Sequence, residues 1–176
     1  MPTGFYATTI ERKTVQSDTH GLIYVSHSNT HTRDDAASRI ILDILTVSRS
    51  KNARLGVTGA LLFSESCFIQ VLEGEKSAVE EIYEAIERDQ RHRDVTLLSF
   101  KEIPRRYFSK WSMAYSGASL SPAWLVEIQD RLANPSAIED GRLGQQLLAF
   151  MTECIRQQET DRSPLPRVHG MKTTNN

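Results

Sequence analysis

Five short runs of aliphatic, aromatic and β-branched residues predict the strands of this chain. They cover residues 21–26, 60–63, 67–72, 95–103 and 111–115. The second and third runs flank the short turn 64–66, an arrangement that is typical of a β-hairpin. Because alternate residues of a strand face opposite sides of a sheet, each run offers one face to a layer of helices.

Apolar residues at three- and four-residue spacing predict two helices between these strands. The first follows Thr32 and Asp35, which have the form of a capping box. Its apolar positions are Ala37, Ile41, Ile44 and Leu45. Steps of four residues continue this stripe into Ser48 and Asn52, so the inner face ends in polar groups. The second helix is expected to stop near Asp89, with apolar positions at Val79, Ile82, Tyr83 and Ile86.

The order strand, helix, strand, strand, helix, strand, strand predicts an α+β fold. We expect a ferredoxin-like βαββαββ sandwich, with an antiparallel-rich sheet and two helices on one face. Residues 1–20 are expected to form a loose N-terminal extension, 21–117 the domain, 118–160 a C-terminal helical extension and 161–176 a mobile tail.

The C-terminal extension carries signals for two more helices. Ser121 and Pro122 provide an N-cap and a proline at the first helical position, which predicts a helix over 123–132. A second helix is predicted over 143–157. Its apolar stripe comprises Leu143, Leu147, Leu148, Met151 and Ile155. That stripe either packs on the free face of the chain's own sheet or binds a partner.

Composition narrows the class of protein. The chain has 176 residues, 39% of them hydrophobic, and a formal net charge of −1, which fits one globular core and argues against a dedicated nucleic-acid surface. No apolar run is long enough to cross a bilayer. We therefore expect a cytoplasmic protein with no direct nucleic-acid or membrane partner. Cys67 and Cys154 suggest neither a disulfide framework nor a metal site and are expected to be reduced packing residues.

Gln70 is a polar residue inside an otherwise apolar run. Phe68 and Leu72 share its face of the strand, and an unpaired buried amide costs about 1–3 kcal/mol, so another side chain or a ligand should meet it. The predicted topology brings Tyr24 and Asn52 to the same place. Each of the three has an ordinary structural explanation, as a strand aromatic, a helix C-terminal residue or a satisfied core amide. Together they favour a planar, hydrogen-bonding ligand between the two helices.

Several familiar catalytic and nucleotide-binding motifs are missing from the sequence. The five histidines show no zinc-like spacing, and there is no nucleophile elbow, G-x-G-x-x-G or P-loop. A small hydrolase on this scaffold would need a nucleophile or an anion-activating loop, and the sequence offers neither.

Five segments between residues 21 and 117 form a specific combination of motifs. In chain order they are GLIYVS, KNARLGVTGALLF, CFIQVLEGE, IERDQRHRDV and KWSMAYSG. This combination resembles the BLUF domain, a blue-light sensor that binds a flavin. The resemblance implies a short, single-domain photoreceptor with the ferredoxin-like fold and FAD as cofactor, and it leaves the preference for FAD over FMN open.

The resemblance also implies roles for individual residues. Tyr24 corresponds to the family's redox-active tyrosine, Gln70 to its switching glutamine, and Asn52 to the amide that hydrogen-bonds the flavin ring. Trp111 and Met113 correspond to the pair on the last strand that reports the switch. The other flavin-binding positions are Ile44, Ser48 and Ile86 near the ring, and Lys51, Arg91 and His92 near the ribityl and phosphate groups.

Two features depart from the family's pattern. Lys51 stands where several relatives have Asn or His, and the loop through residues 29–32 is longer than in compact members. The longer loop is expected to alter the rim of the site and to leave the ring site unchanged.

The implied activity is light sensing without turnover of a substrate, so no enzyme activity is expected. Blue light would draw an electron and then a proton from Tyr24 through Gln70, and recombination would leave Gln70 rotated or tautomerised. The signal is expected to leave through protein contacts, in a homodimer or larger assembly that engages a separate effector protein. A flavin-free interaction module of the same fold is the alternative. The residues that together argue against it are Tyr24, Asn52, Gln70, Trp111 and Met113.

Overall fold

The architecture is taken from a computed structural model, which describes residues 18–29, 35–117, 120–134 and 141–161. Within these residues the chain forms five strands and four helices. They are β1 (Thr19–Ser28), α1 (Asp35–Leu55), β2 (Thr58–Ser64), β3 (Cys67–Glu75), α2 (Lys76–Glu87), β4 (His92–Glu102), β5 (Ala114–Ser116), α3 (Pro122–Leu132) and α4 (Arg142–Asp161). No helix in the described ranges is long and apolar enough to span a membrane.

The five strands form one sheet in the order β4-β1-β3-β2-β5. β3 lies at the centre, between β1 and β2. β1 pairs antiparallel with β3 and β4, and β2 and β3 form the predicted hairpin. Only the short edge strand β5 is parallel to its neighbour, β2. This is the ferredoxin-like α+β arrangement, and the predicted fold class is confirmed.

Helices cover both faces of the sheet. On one face, α1 and α2 bury Ile44 and Ile82 against Leu22 and Phe68. On the opposite face, the stripe of α4 packs on the sheet. The packed residues of that stripe are Leu143, Leu147, Met151 and Ile155, and they share a cluster with Ile23, Val25 and Leu98. The interpretation of this stripe as a packing surface is therefore confirmed.

The C-terminal end of α1 is fixed by its backbone. Gly56 has a φ of 65°, the left-handed conformation that glycine adopts without strain. Its N–H donates to Ala53 O, and Val57 N–H donates to Asn52 O at 2.9 Å. These two bonds are those of a Schellman motif, so the turn that ends α1 also holds the backbone of Asn52.

Some predicted boundaries are wrong. β1 begins at Thr19, inside the predicted extension, and β4 begins at His92 instead of Val95. The last strand was predicted over 111–115, but β5 spans only Ala114–Ser116, because side chains of α1 bind the carbonyls that precede it. The last helix ends at Asp161, the first residue of the predicted tail 161–176. The rest of that tail, the predicted capping residue Thr32 and residues 1–17 of the predicted extension lie outside the described residues.

Candidate functional site

Tyr24 and Gln70 form the centre of the site. They are paired in the register of β1 and β3, and both side chains are buried. The Tyr24 hydroxyl donates to Gln70 Oε1, and Gln70 Nε2 donates to Met113 Sδ at 3.4 Å. Burial raises the pKa of Tyr24, so the phenol keeps its proton and acts as the donor. The amide is thus held at both ends by protein side chains.

Asn52 has one satisfied end and one unsatisfied end. It is buried on the inner face of α1, and its Nδ2 donates to Ser112 O at 2.7 Å. Its Oδ1 is buried and has no hydrogen-bond partner among the described residues. Because a buried unsatisfied acceptor costs about 1–3 kcal/mol, this oxygen is a place where a ligand N–H would be stabilised.

A cleft of about 460 Å³, including its open mouth, lies between α1 and α2. The cleft is lined by Ile44, Val47, Ser48, Lys51, Asn52, Gln70, Ile82, Ala85, Ile86, Asp89, Arg91 and His92. All eight cleft-side positions predicted from the sequence are in this set, whereas Tyr24 lies behind Gln70 and is fully buried.

Two basic residues at the cleft already have acidic partners. Lys51 Nζ lies 3.4 Å from Glu81 Oε1. Arg91 Nε donates to both carboxylate oxygens of Asp89 at 2.9 and 3.0 Å. The Arg91 guanidinium lowers the pKa of Asp89, and the carboxylate raises the pKa of Arg91. The pair is therefore charged on both sides, and Asp89 fixes where the guanidinium points.

His92 is a buried, uncharged side chain at the start of β4. Burial lowers its pKa to about 4, so the imidazole is neutral at pH 7. Its Nδ1 lies 2.9 Å from Ser26 Oγ, and its ring lies 4.7 Å from that of Phe68. A neutral histidine with these neighbours supplies a polar edge to the cleft without adding charge.

Trp111 and Met113 lie on different sides of the sheet edge. Met113 is buried beside Gln70, while Trp111 is half-buried against the cluster on the opposite face. Trp111 lines a surface hollow together with Ile155 and Glu159 of α4. The expectation that both lie on the last strand is wrong, since that strand begins only at Ala114.

Sequence reasoning missed three residues that position the predicted ones. Asp89 holds Arg91, Ser26 contacts His92, and Arg49 reaches the backbone of Met113. The spacing of the sequence could have indicated part of this set. Asp89 is two residues before Arg91, and Ser26 is two residues after Tyr24 on the same face of the strand. Arg49 is one helical turn before Asn52.

A family profile described as "BLUF: Sensors of blue-light using FAD" matches residues 20–114, more than half of the chain. The chain belongs to the BLUF family. FAD is therefore its cofactor, and the matched domain is a sensor domain and not a catalytic one. Among the described residues, no group of three or more His, Cys, Asp or Glu side chains is placed to hold a metal ion.

Known BLUF proteins resemble this chain in sequence and in structure. The blue light- and temperature-regulated antirepressor BluF of Escherichia coli (strain K12) is 39% identical over 92 residues, which are 52% of this chain but only 22% of that protein. The structure of BlsA in its photo-activated state has a TM-score of 0.59 and 29% identity, and it covers 78% of this chain and 94% of its own. The dark-state structure of BlrB, a BLUF protein, has a TM-score of 0.59 and 26% identity, over 81% and 98% of the two chains.

Proposed function

We propose that this chain is a blue-light photoreceptor in which Tyr24 and Gln70 are the photoactive pair. The observation that carries this proposal is the chain of hydrogen bonds from the Tyr24 phenol through the Gln70 amide to Met113 Sδ. All three side chains are buried, and the middle one, Gln70, lines the cleft. A phenol donor, an amide that both accepts and donates, and a sulfur acceptor thus follow one another in that order.

The residues of the cleft fit FAD. Ile44 and Ile86 offer apolar walls to a flat ring, and Asn52 Oδ1 offers an unpaired acceptor to a ring N–H. Lys51 and Arg91 bring N–H donors to the cleft that can bind the diphosphate, and each would then be shared between the phosphate and its present partner, Glu81 or Asp89. Within this proposal, Ser48 borders the ring and the neutral His92 borders the ribityl chain.

The mechanism uses the two ends of the Gln70 amide. When bound, FAD supplies the absorption of blue light and the excited-state oxidant. Tyr24 loses an electron and its hydroxyl proton, and the proton moves along the existing bond to Gln70 Oε1. When the electron and the proton return, Gln70 is left rotated or tautomerised. Either change alters the bond from Nε2 to Met113 Sδ, which releases Met113 from its dark position.

Two substitutions test this pair directly. Tyr24→Phe and Gln70→Leu should bind FAD and appear yellow, yet lose the light-induced red shift of the flavin absorption. Tyr107→Phe is the matched control, because this phenol is exposed and lies outside the cleft; it should cycle like the wild type. A normal light-minus-dark difference spectrum in either of the first two variants would refute the proposal.

In this proposal, the light-induced change is passed on through contacts between the segment before β5 and helix α4. Trp111 and Ile155 of α4 line the same surface hollow. A displacement of the segment that carries Trp111 therefore changes the surface on which α4 packs. Within this proposal, residues 21–117 form the flavin-binding unit, residues 118–160 form the output extension, and the protein acts in the cytoplasm. The relative from Escherichia coli is described as an antirepressor, which supports output to a separate effector protein.

We further propose that the chain forms a homodimer or a larger assembly. Light scattering in the dark and under blue light measures this state. A mass of more than one chain in either condition is expected, and a strict monomer in both would refute this part of the proposal.

A further inference from the structure

Three consecutive backbone carbonyls before β5 each accept a hydrogen bond from a different residue. The bonds are Gly59 N to Trp111 O (3.0 Å), Asn52 Nδ2 to Ser112 O (2.7 Å) and Arg49 Nε to Met113 O (3.1 Å). Two of the three donors come from α1. The segment 111–113 is therefore tied to a helix that also forms a wall of the cleft.

Of the three donors, Arg49 is the one that binds the backbone of Met113. It lies three residues before Asn52, so both side chains project from the same side of α1. Its target is the carbonyl of Met113, the residue whose Sδ accepts from Gln70. Met113 is thus held at its backbone by Arg49 and at its side chain by Gln70.

Arg49 also lies between the light-sensing and output sides of the molecule. It is absent from the cleft lining, but it lines the surface hollow that contains Trp111 and the α4 residues Gln158 and Glu159. Hydrogen bonds that involve a charged donor are stronger than neutral ones. A change in the position of Met113 therefore alters a charged contact beside α4.

We propose that Arg49 is a positioning residue that holds Met113 in its dark position through the Met113 carbonyl and so sets the lifetime of the lit state. This inference rests on the proposed function. In the dark, the guanidinium keeps the segment 111–113 where Gln70 can bond Met113 Sδ. The hydrogen bond from Arg49 to the Met113 carbonyl is broken when Met113 moves after illumination. Because this bond forms again only in the dark position, it favours the return of the segment.

The test uses the full chain with FAD bound and compares wild type with Arg49→Met, which keeps the length of the stem and removes the donor. In Arg49→Met, dark recovery of the light-minus-dark signal should be slower by a factor of roughly three or more. Hydrogen exchange of the backbone amides of residues 111–116 in the dark should be roughly three- to tenfold faster, as expected for the loss of one hydrogen bond. The dark spectrum and FAD affinity should not change, since Arg49 lies outside the cleft.

Two further variants separate positioning from a general effect on folding. Arg49→Lys keeps a cationic donor and should restore most of the recovery rate. Arg54→Met, on an exposed position of the same helix, should behave as wild type. Unchanged recovery in Arg49→Met, with or without faster exchange, would overturn the inference while leaving the proposed function intact. A wild-type protein that shows no light-induced shift would instead refute the proposed function, and this inference with it.

Discussion

Tyr24 and Gln70 are 46 residues apart in the chain and directly opposite each other in the sheet, and the phenol of one donates to the amide oxygen of the other. The register of β1 and β3 creates this pair, because a shift of one residue would turn one side chain to the opposite face. The central strand pair of the fold therefore also defines the photoactive pair that we propose.

Asn52→Ala should weaken the binding of FAD. The substitution removes the buried, unpaired Oδ1, and the loss of one ligand hydrogen bond corresponds to roughly two- to tenfold weaker binding. Titration of FAD into the flavin-free protein measures this change. Ser50→Ala, on an exposed position of the same helix, is the control and should bind like wild type. Equal affinities for all three proteins would show that Asn52 does not contact the cofactor.

The stability of the flavin-free protein should fall in acid because of His92. Its pKa is lowered to about 4 in the fold, against about 6.5 in an unfolded chain. Its contribution is therefore fully present above pH 6.5 and is lost as the pH falls through 4, by an amount of order 3 kcal/mol. Urea unfolding of wild type and His92→Gln at pH 7 and pH 4 isolates this contribution. Identical losses in both proteins would contradict the assignment.

Leu147→Ala should destabilise the whole domain. This side chain is 0% exposed in the cluster between α4 and the sheet, and such truncations cost about 2–5 kcal/mol. Leu42→Ala removes the same atoms from a side chain that is 62% exposed and should change the free energy of unfolding by at most about 0.5 kcal/mol. Denaturant unfolding measures both. A Leu147→Ala protein as stable as Leu42→Ala would mean that α4 does not pack on the sheet.

Periodicity and local signals predicted most of the fold. The runs around Tyr24 and Gln70 became the central strands, and the polar end of the first helical stripe placed Ser48 and Asn52 at the cleft. These successes share a cause, since burial of one face dictates both the spacing of apolar residues and the direction of side chains.

Contacts between distant segments could not be predicted in this way. Glu73 is a fully buried carboxylate that accepts the N–H groups of Tyr107 and Phe108 at 2.8 and 2.9 Å. It thereby holds the loop that leads to Trp111, although burial raises its pKa. Nothing in the spacing of the sequence pairs Glu73 with a loop more than thirty residues later, or Arg49 with Met113. For the same reason the start of β5 was misplaced.

The central claim is that light changes the hydrogen bonds of the Gln70 amide. The most direct measurement is light-minus-dark infrared spectroscopy of protein that carries ¹³C in the side-chain carbonyl of glutamine. We predict an isotope-sensitive carbonyl band that shifts on illumination in wild type and is absent from Gln70→Leu and Tyr24→Phe. Two results would contradict the claim. One is a red shift of the flavin absorption in wild type without an isotope-sensitive glutamine band. The other is an isotope-sensitive band in Gln70→Leu that matches that of wild type.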